Sequence, residues 1–349
     1  MDNSDKLIIG MPAGSLADPN RGGSLNNLLK AAGFPTKGYD QGGPTTFPLH
    51  TFLFGWDGRP QEFGSQLALG EIDIAIGGDD WVLERALEYK YEYKQSIDLE
   101  KVLGLGRGNV RIVIITNPLK GKPVDEWLTE LLKAKPLVTM VSEMPYLALD
   151  WFEKKLAALG FQESHGAFSV QKYRTPPRID RGIVIYEAWG KTEAKVVHGA
   201  VDFGMEITQS GSALRNYGLE IAEDVLRSEA GIWARSGLRQ NAEKYHLAKM
   251  LLLNLHGAIY AENKVLIFFN APNSRVQDIL IYLKAHHLFG DEPTMNAGKN
   301  FTEFSIQVST DNPALPLAKV RYELAHHGAT YIETVPLDSC IPGIDAVNF

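Results

Sequence analysis

The chain has 349 residues, 44% of them hydrophobic, and 35 Lys and Arg against 42 Asp and Glu give a formal net charge of −7. That length and apolar content sustain a substantial core but exceed one ordinary domain, so two or three domains are expected; the acidic balance argues against bulk binding to nucleic acid or an acidic membrane while leaving room for a local basic pocket. Cys340 stands alone, which excludes an intrachain disulfide and a multi-cysteine metal cluster. No run approaches 18 apolar residues and none resembles an export signal, so a soluble cytoplasmic protein is the expectation.

KLIIGMP at 6–12 reads as a first strand, and SLNNLLKAAG at 24–33 as a helix with a glycine stop. From YDQGGPTTFPLH to FGWDGRP, glycine and proline are too dense for regular structure, and a loop there suits closure over a site. EFGSQLALG at 62–70 predicts a helix feeding the buried strand EIDIAIGGDD at 71–80, which ends in a Gly-Gly-Asp-Asp turn. NVRIVIITNP (109–118) and LVTMVSE (137–143) predict strands, while KPVDEWLTELLKAK (122–135) and LALDWFEKKLAALG (147–160) predict helices. After an apolar strand at 183–186, GKTEAKVVHG reads as a short helix entering AVDFGMEIT.

There the chain echoes itself: Gly70-Glu-Ile-Asp73 and Gly199-Ala-Val-Asp202 each follow a helix and open an apolar strand that runs into a polar glycine loop. Two α/β lobes of similar design with a ligand cleft between them explain the echo; chance likeness of two short units is the alternative. The second loop, TQSGSALRNYGL at 208–219, is either a phosphate cradle of main-chain N–H groups or a plain capped turn. From 242 the texture changes to a long helix, then strand, helix, strand, helix, strand, as in a small α+β domain with helices on one face of its sheet.

The blocks GMPAGSL (10–16), GRPQEFGSQLALGEIDIAIGGDDWVLE (58–84), LGLGRGNVRIVI (103–114) and WGKTEAKVVHGAVDFGMEITQSGSALRNYGLEIAEDVLRSEAGIWA (189–234), followed by IFFNAPNSRVQDIL, PTMNAG and LAHHGATYIETVPL, resemble in order the ATP phosphoribosyltransferases that open histidine biosynthesis. The likeness covers nearly the whole chain and is nearest to the long form with a C-terminal regulatory domain. It implies an α/β core of two periplasmic-binding-protein-like lobes plus a small ferredoxin-like or ACT-like α+β domain. The expected division is 1–118 for the first lobe, completed by 220–241, then 119–219 for the second lobe and 242–349 for the regulatory or assembly domain. It further implies magnesium-dependent transfer of phosphoribose from phosphoribosyl pyrophosphate to N1 of ATP, a homohexamer, and a histidine effector at the third domain.

Carried residue by residue, the resemblance assigns Gln209, Ser210, Gly211, Ser212 and Ala213 to the sugar 5-phosphate and pyrophosphate donor, and Glu206 to the ribose or Mg2+. Glu206, Arg59 and Lys191 are the catalytic candidates, the two basic residues binding polyphosphate, and Gly14, Ser15, Asp79 and Arg107 are candidates for the acceptor. The chain departs from the family pattern at Ala13 and Ser15, where basic residues are usual, at Gln209, usually an acid, and at Ala213, usually a hydroxyl residue. Those departures motivate two alternatives: transfer to a different nitrogen heterocycle, or a catalytically silent small-molecule sensor. No histidine stands at a spacing that suggests a general base, which suits a reaction whose leaving group is pyrophosphate.

Overall fold

A computed structural model describes residues 5–13, 25–39, 44–55, 58–289 and 293–349. The Gly14 and Ser15 candidates lie outside the described residues. The chain divides into two compact units, one holding Pro35–Lys249 and the described residues before Leu28, the other Leu28–Phe34 and Met250–Asn348.

Two sheets build the first unit. In chain order its elements begin with β1 (Leu7–Gly10), α1 (Leu25–Ala31, shared with the second unit), β2 (Phe52–Gly55), α2 (Pro60–Ala68), β3 (Ile74–Gly78), α3 (Asp79–Glu92), β4 (Leu99–Gly104), β5 (Val110–Thr116), α4 (Val124–Ala134), β6 (Leu137–Ser142) and α5 (Pro145–Leu159). They continue with α6 (Gln162–His165), β7 (Phe168–Lys172), β8 (Gly182–Glu187), α7 (Thr192–Val197), β9 (Phe203–Thr208), α8 (Ser212–Asn216), β10 (Glu220–Ser228), β11 (Ala230–Arg235) and the start of α9 (Ala242–Ala261). The first sheet has the order β2-β1-β3-β11-β4, and the second β10-β5-β9-β6-β8-β7. Strand β2 lies in the stretch expected to be irregular; Phe52 and Gly55 pair in parallel with Leu7 and Gly10, so tertiary pairing overrides the local glycine and proline signal. The Gly-Gly-Asp-Asp turn is likewise the start of helix α3, with Asp79 and Asp80 in its first turn, where carboxylates favour the helix dipole.

The chain crosses between sheets at 104–110 and returns at 228–230, so β5 and β10 belong to the second sheet and β11 to the first. The lobe boundary expected at 118 therefore moves to the β4–β5 crossing, and 220–228 leaves the first lobe for the second. Apolar alternation predicts a strand but carries no information on which sheet receives it; the antiparallel ladder from Glu220–Thr116 to Ser228–Val110 decides it. Leu105 N–H donates to Ala230 O at 2.9 Å, and Ala230 N–H to Arg107 O at 2.9 Å, binding the two crossings together.

The sequence echo is a physical repeat. Gly70 and Gly199 both take positive φ, 73° and 68°, ending α2 and α7. Behind them Glu71 N–H reaches Gln66 O and Ala200 N–H reaches Lys195 O, the 6→1 bond that closes a helix on a left-handed residue. Three residues on, each aspartate brackets the neighbouring parallel strand. Asp73 N–H donates to Ile8 O and its Oδ2 accepts Ile8 N–H, both at 2.9 Å; Asp202 N–H donates to Thr139 O at 3.0 Å and its Oδ2 accepts Thr139 N–H at 2.9 Å. Asp73, with a side chain 2% exposed, also holds Arg235 at 2.9 Å and Lys244 at 2.8 Å.

Both faces of the second sheet are covered. Ile112, Met140, Ile185 and Phe203 pack with α4 and α5 residues such as Leu128 and Phe152, while Val113, Val141, Val184 and Val196 form a second cluster on the side of α7. Each large side chain so buried contributes about 1.5–3 kcal/mol. The lobes are also joined by helix α3 against α5: Leu87 enters the first of those clusters, and Glu84 accepts Tyr146 N–H at 3.0 Å and Leu147 N–H at 2.7 Å from the first turn of α5. Burial pushes the Glu84 carboxyl up to about 8, although those two hydrogen bonds oppose the shift.

In the second unit, β12 (Lys264–Pro272), α10 (Val276–Ala285), β13 (Thr294–Ala297), β14 (Phe301–Ser309), α11 (Leu317–His326) and β15 (Thr330–Pro336) follow the end of α9. The antiparallel sheet has the order β13-β14-β12-β15. Alternate residues Val265, Ile267, Phe269 and Ala271 are buried with Ile279 and Leu283 of α10 and Val320 and Leu324 of α11, so both helices share one face.

Asp73→Ala removes the partner of two buried or half-buried cations and is expected to cost about 3–5 kcal/mol. Asp202→Ala should cost about 1–3 kcal/mol, since its Lys135 partner has a side chain 51% exposed; urea unfolding of the two variants measures the difference, and equal losses would contradict the ranking. The folded-state value of Glu84 lies above its ordinary 4.5, so the folded chain holds that proton more tightly. Its contribution to stability is complete below about pH 4.5 and is lost as pH rises through about 8; thermal midpoints across that window should fall for the native chain and flatten for Glu84→Gln.

Candidate functional site

A cavity of about 620 Å³ opens where the two crossings meet. Asp79 at the head of α3, Asn109 and Arg111 at the head of β5, Gln209 beyond β9, and Arg227 and Glu229 at the return crossing line it. Strand ends and helix starts converge here because both sheets deliver their chain to the same seam, the usual setting for ligands in open α/β folds.

Charges in the cavity are partly tied. Lys101 Nζ lies 2.8 Å from Asp79 and 2.9 Å from Glu229. Burial lowers the pKa of this ammonium, but its hydrogen bonds to the two carboxylates outweigh that and raise it. Arg111 pairs with Asp224 through its fork. Arg227 is exposed and makes no ion pair with another described residue. Asp80, next to Asp79, is turned into the protein: its Oδ1 accepts Ser228 Oγ–H at 2.9 Å, and burial raises its pKa.

Beside this seam, β9 presents a second group. Gly204, Glu206 and Thr208 alternate on the face toward α7, since a Cβ on Gly204 would meet Val196 and Thr192 at 3.0 and 3.2 Å. Burial pushes the Glu206 carboxyl up to about 7, helped by the charges of Glu143 and Glu193 and opposed by the Ile207 N–H that it accepts. Past Thr208 the backbone turns through Gly211 at φ 70°, where a Cβ would also meet Ile221 at 3.0 Å. Gly211 N–H donates to Thr208 Oγ1 at 3.0 Å and Ser212 N–H to Ser210 Oγ at 3.3 Å, so hydroxyl oxygens occupy both of these amides.

Of the sequence candidates, Asp79 and Gln209 line the cavity. Ser210, Gly211, Ser212 and Ala213 form the adjoining turn and helix start, and Glu206 lies five residues before that glycine, in β9 opposite Val113. Arg107 sits in the crossing, with its carbonyl bonded to Ala230. Arg59 is exposed at the start of α2, and Lys191 is exposed at the start of α7 with φ 58°; neither lines the cavity. Sequence reasoning missed Thr208, Arg227, Glu229 and Lys101. Thr208 was visible in the TQSGS string, but nothing local separates Arg227 from any exposed strand arginine.

Among the described residues no three His, Cys, Asp or Glu side chains are grouped to hold a metal, and no helix is long and apolar enough to cross a membrane.

The model of the family described as "HisG: ATP phosphoribosyltransferase" matches residues 59–257. An ATP phosphoribosyltransferase of Geotalea uraniireducens is 28% identical over 353 residues, covering 97% of this chain and 100% of that one. Another, from Chlorobium luteolum, is 27% identical over 296 residues, covering 82% of this chain and 83% of that one. The solved ATP phosphoribosyl transferase (HisG:HisZ) complex from Thermotoga maritima aligns with 71% of this chain and 98% of its own at 16% identity and a TM-score of 0.48.

Proposed function

Because the chain belongs to the ATP phosphoribosyltransferase family, we propose that it transfers phosphoribose from phosphoribosyl pyrophosphate to N1 of ATP and releases pyrophosphate, the first step of histidine biosynthesis. The observation that carries this reading is the turn after β9, where Thr208, Ser210, Gly211 and Ser212 gather amides and hydroxyls beside a cavity that holds an arginine without an ion-pair partner among the described residues. The sugar 5-phosphate takes the Gly211 and Ser212 amides, displacing the hydroxyl oxygens that hold them, and the same hydroxyls then donate to it. Ala213 adds only its backbone, and Gln209 turns its amide to a ribose hydroxyl. Arg227, with Arg111 beside it, receives the pyrophosphate end, and Arg59 and Lys191 supply further positive charge. Asp79, Arg107, Gly14 and Ser15 belong to the acceptor side.

The donor set fits a magnesium ion that draws most of its ligands from substrate phosphates and water, since Glu206 supplies a single carboxylate. Bound there, the ion would neutralise charge on the departing pyrophosphate. No side chain needs to act as a strong base: the chain holds donor and acceptor in line, and the leaving group is already stable.

The second unit has the β-α-β-β-α-β order and strand arrangement of ferredoxin-like domains, which supports an ACT-like regulatory or assembly role and a histidine-like effector. A homohexamer and a cytoplasmic location complete the reading. Gln209, neutral and exposed at the cavity, favours one variation, an acceptor heterocycle other than ATP.

Pyrophosphate release from phosphoribosyl pyrophosphate plus ATP with Mg2+ tests the reaction directly; failure of the folded protein to take up the sugar would overturn it, whereas turnover only with another heterocycle would replace the acceptor. Arg227→Ala should raise the KM for phosphoribosyl pyrophosphate about tenfold to a hundredfold, the worth of one charged contact. Glu206 gains its charge as pH rises through about 7, so Mg2+ affinity, read by calorimetry, should increase from pH 6 to 8 and lose that dependence in Glu206→Gln.

A further inference from the structure

Two tryptophans face each other between the lobes. Trp81 stands in the first turn of α3, two residues after cavity-lining Asp79, and Trp189 follows β8 in the second lobe. Their ring centroids are 6.2 Å apart with planes inclined by only 12°, yet Trp189 is 64% exposed. Trp81 also packs against the second-lobe core.

The backbone carrying Trp189 is fastened on both sides. Ala188 N–H donates to Ser142 O at 3.0 Å, Gly190 N–H to Glu143 Oε1 at 2.5 Å, and Lys195 Nζ to the carbonyls of Gly190 and Lys191 at 2.7 and 3.1 Å. Lys191 is held at φ 58°, a conformation that an ordinary side chain adopts only under constraint from its surroundings. So the fold fixes the base of this indole while leaving the ring itself with Trp81 as its only aromatic neighbour among the described residues. A large apolar ring in that position loses little by exchanging one flat partner for another.

We infer that Trp81 and Trp189 form an aromatic clamp that takes the planar heterocycle of the acceptor between their faces. The inference rests on the transfer reading for the identity of that ligand and adds the residues that select it. Aromatic rings stack at about 3.5 Å between planes, so a heterocycle between two indoles needs about 7 Å from one indole plane to the other. The α3–α5 junction, closed by Glu84, holds Trp81 in place. Trp189 is therefore the part that swings outward to admit the ring. Glu143 and Glu193, whose charges both act on Glu206, put the clamp on the same side of the second lobe as the donor group.

Calorimetric titration of the full chain with ATP, and separately with phosphoribosyl pyrophosphate and Mg2+, tests the clamp. Trp189→Ala should weaken ATP about tenfold or more, the loss seen when one stacking face is removed from a base, while sugar affinity stays within about twofold. Trp189→Phe should restore most of the ATP affinity, and quenching of tryptophan fluorescence by ATP should shrink in Trp189→Ala. Because Trp189 is exposed, its variants are expected to keep the native thermal midpoint; Trp81→Phe provides an independent check on the other face. Unchanged ATP binding in Trp189→Ala overturns the inference, as does a parallel loss of both ligands or the absence of binding by the native chain to ATP and a panel of purine and pyrimidine nucleotides. Should the native chain bind ATP through Trp189 but take up no sugar, the clamp stands and the transfer reading falls.

Discussion

Two main-chain hydrogen bonds, from Leu105 to Ala230 and from Ala230 to Arg107, hold the outgoing and returning crossings side by side. With the crossings fixed, β5 and β10 must enter the second sheet as neighbours and β11 must fall between β3 and β4. The cavity is a result of that arrangement: its walls are residues that lie at or beside the crossings, joined by the heads of α3 and the β9 turn. A loop substitution elsewhere can alter the rim, but the position of the cavity is set by backbone pairing. Helix α3 adds the second restraint by placing a first-lobe carboxyl group, that of Glu84, on the open amides of a second-lobe helix.

The paired aspartates show why two lobes can share a design. A parallel strand emerging from a helix must enter next to a strand that began far away in sequence, and its first residue has no ladder partner on one side. Asp73 and Asp202 solve that with one side chain that accepts the neighbour's N–H and one backbone N–H that donates to the same residue's carbonyl. The first copy is further loaded with Arg235 and Lys244, so it also anchors β11 and the beginning of α9. Both aspartates are thereby consumed by structure, and neither is free for chemistry.

Much of the architecture was legible because helix and strand periods are local. The 3.6 period of α4 and α5 and the apolar runs of β3, β5 and β6 needed only a short window. The Gly-x-x-Asp echo was legible too, since its glycine and aspartate each have a backbone task that few other residues perform. Strand β2 was hidden by the glycines and prolines around it, and the sheet membership of β5 by the fact that burial looks alike in either lobe. The site divides in the same way. Its turn at Ser210–Ser212 can be read from a string of small residues, whereas Arg227 meets Asp79 and Gln209 only through the return crossing, and Trp81 meets Trp189 only once the lobes are assembled.

The cavity has one more property that follows from its lining. Asp79 and Glu229 set two negative charges against the two positive charges of Arg111 and Arg227, and the attached Lys101 and Asp224 also cancel. Balanced charges at such short spacing project little potential beyond a Debye length. The lining itself then neither draws in nor turns away a highly charged nucleotide at range; the long-range field such a ligand meets comes from the rest of a chain whose formal net charge is −7. Discrimination is left to the moment of contact, when individual donors meet individual oxygens.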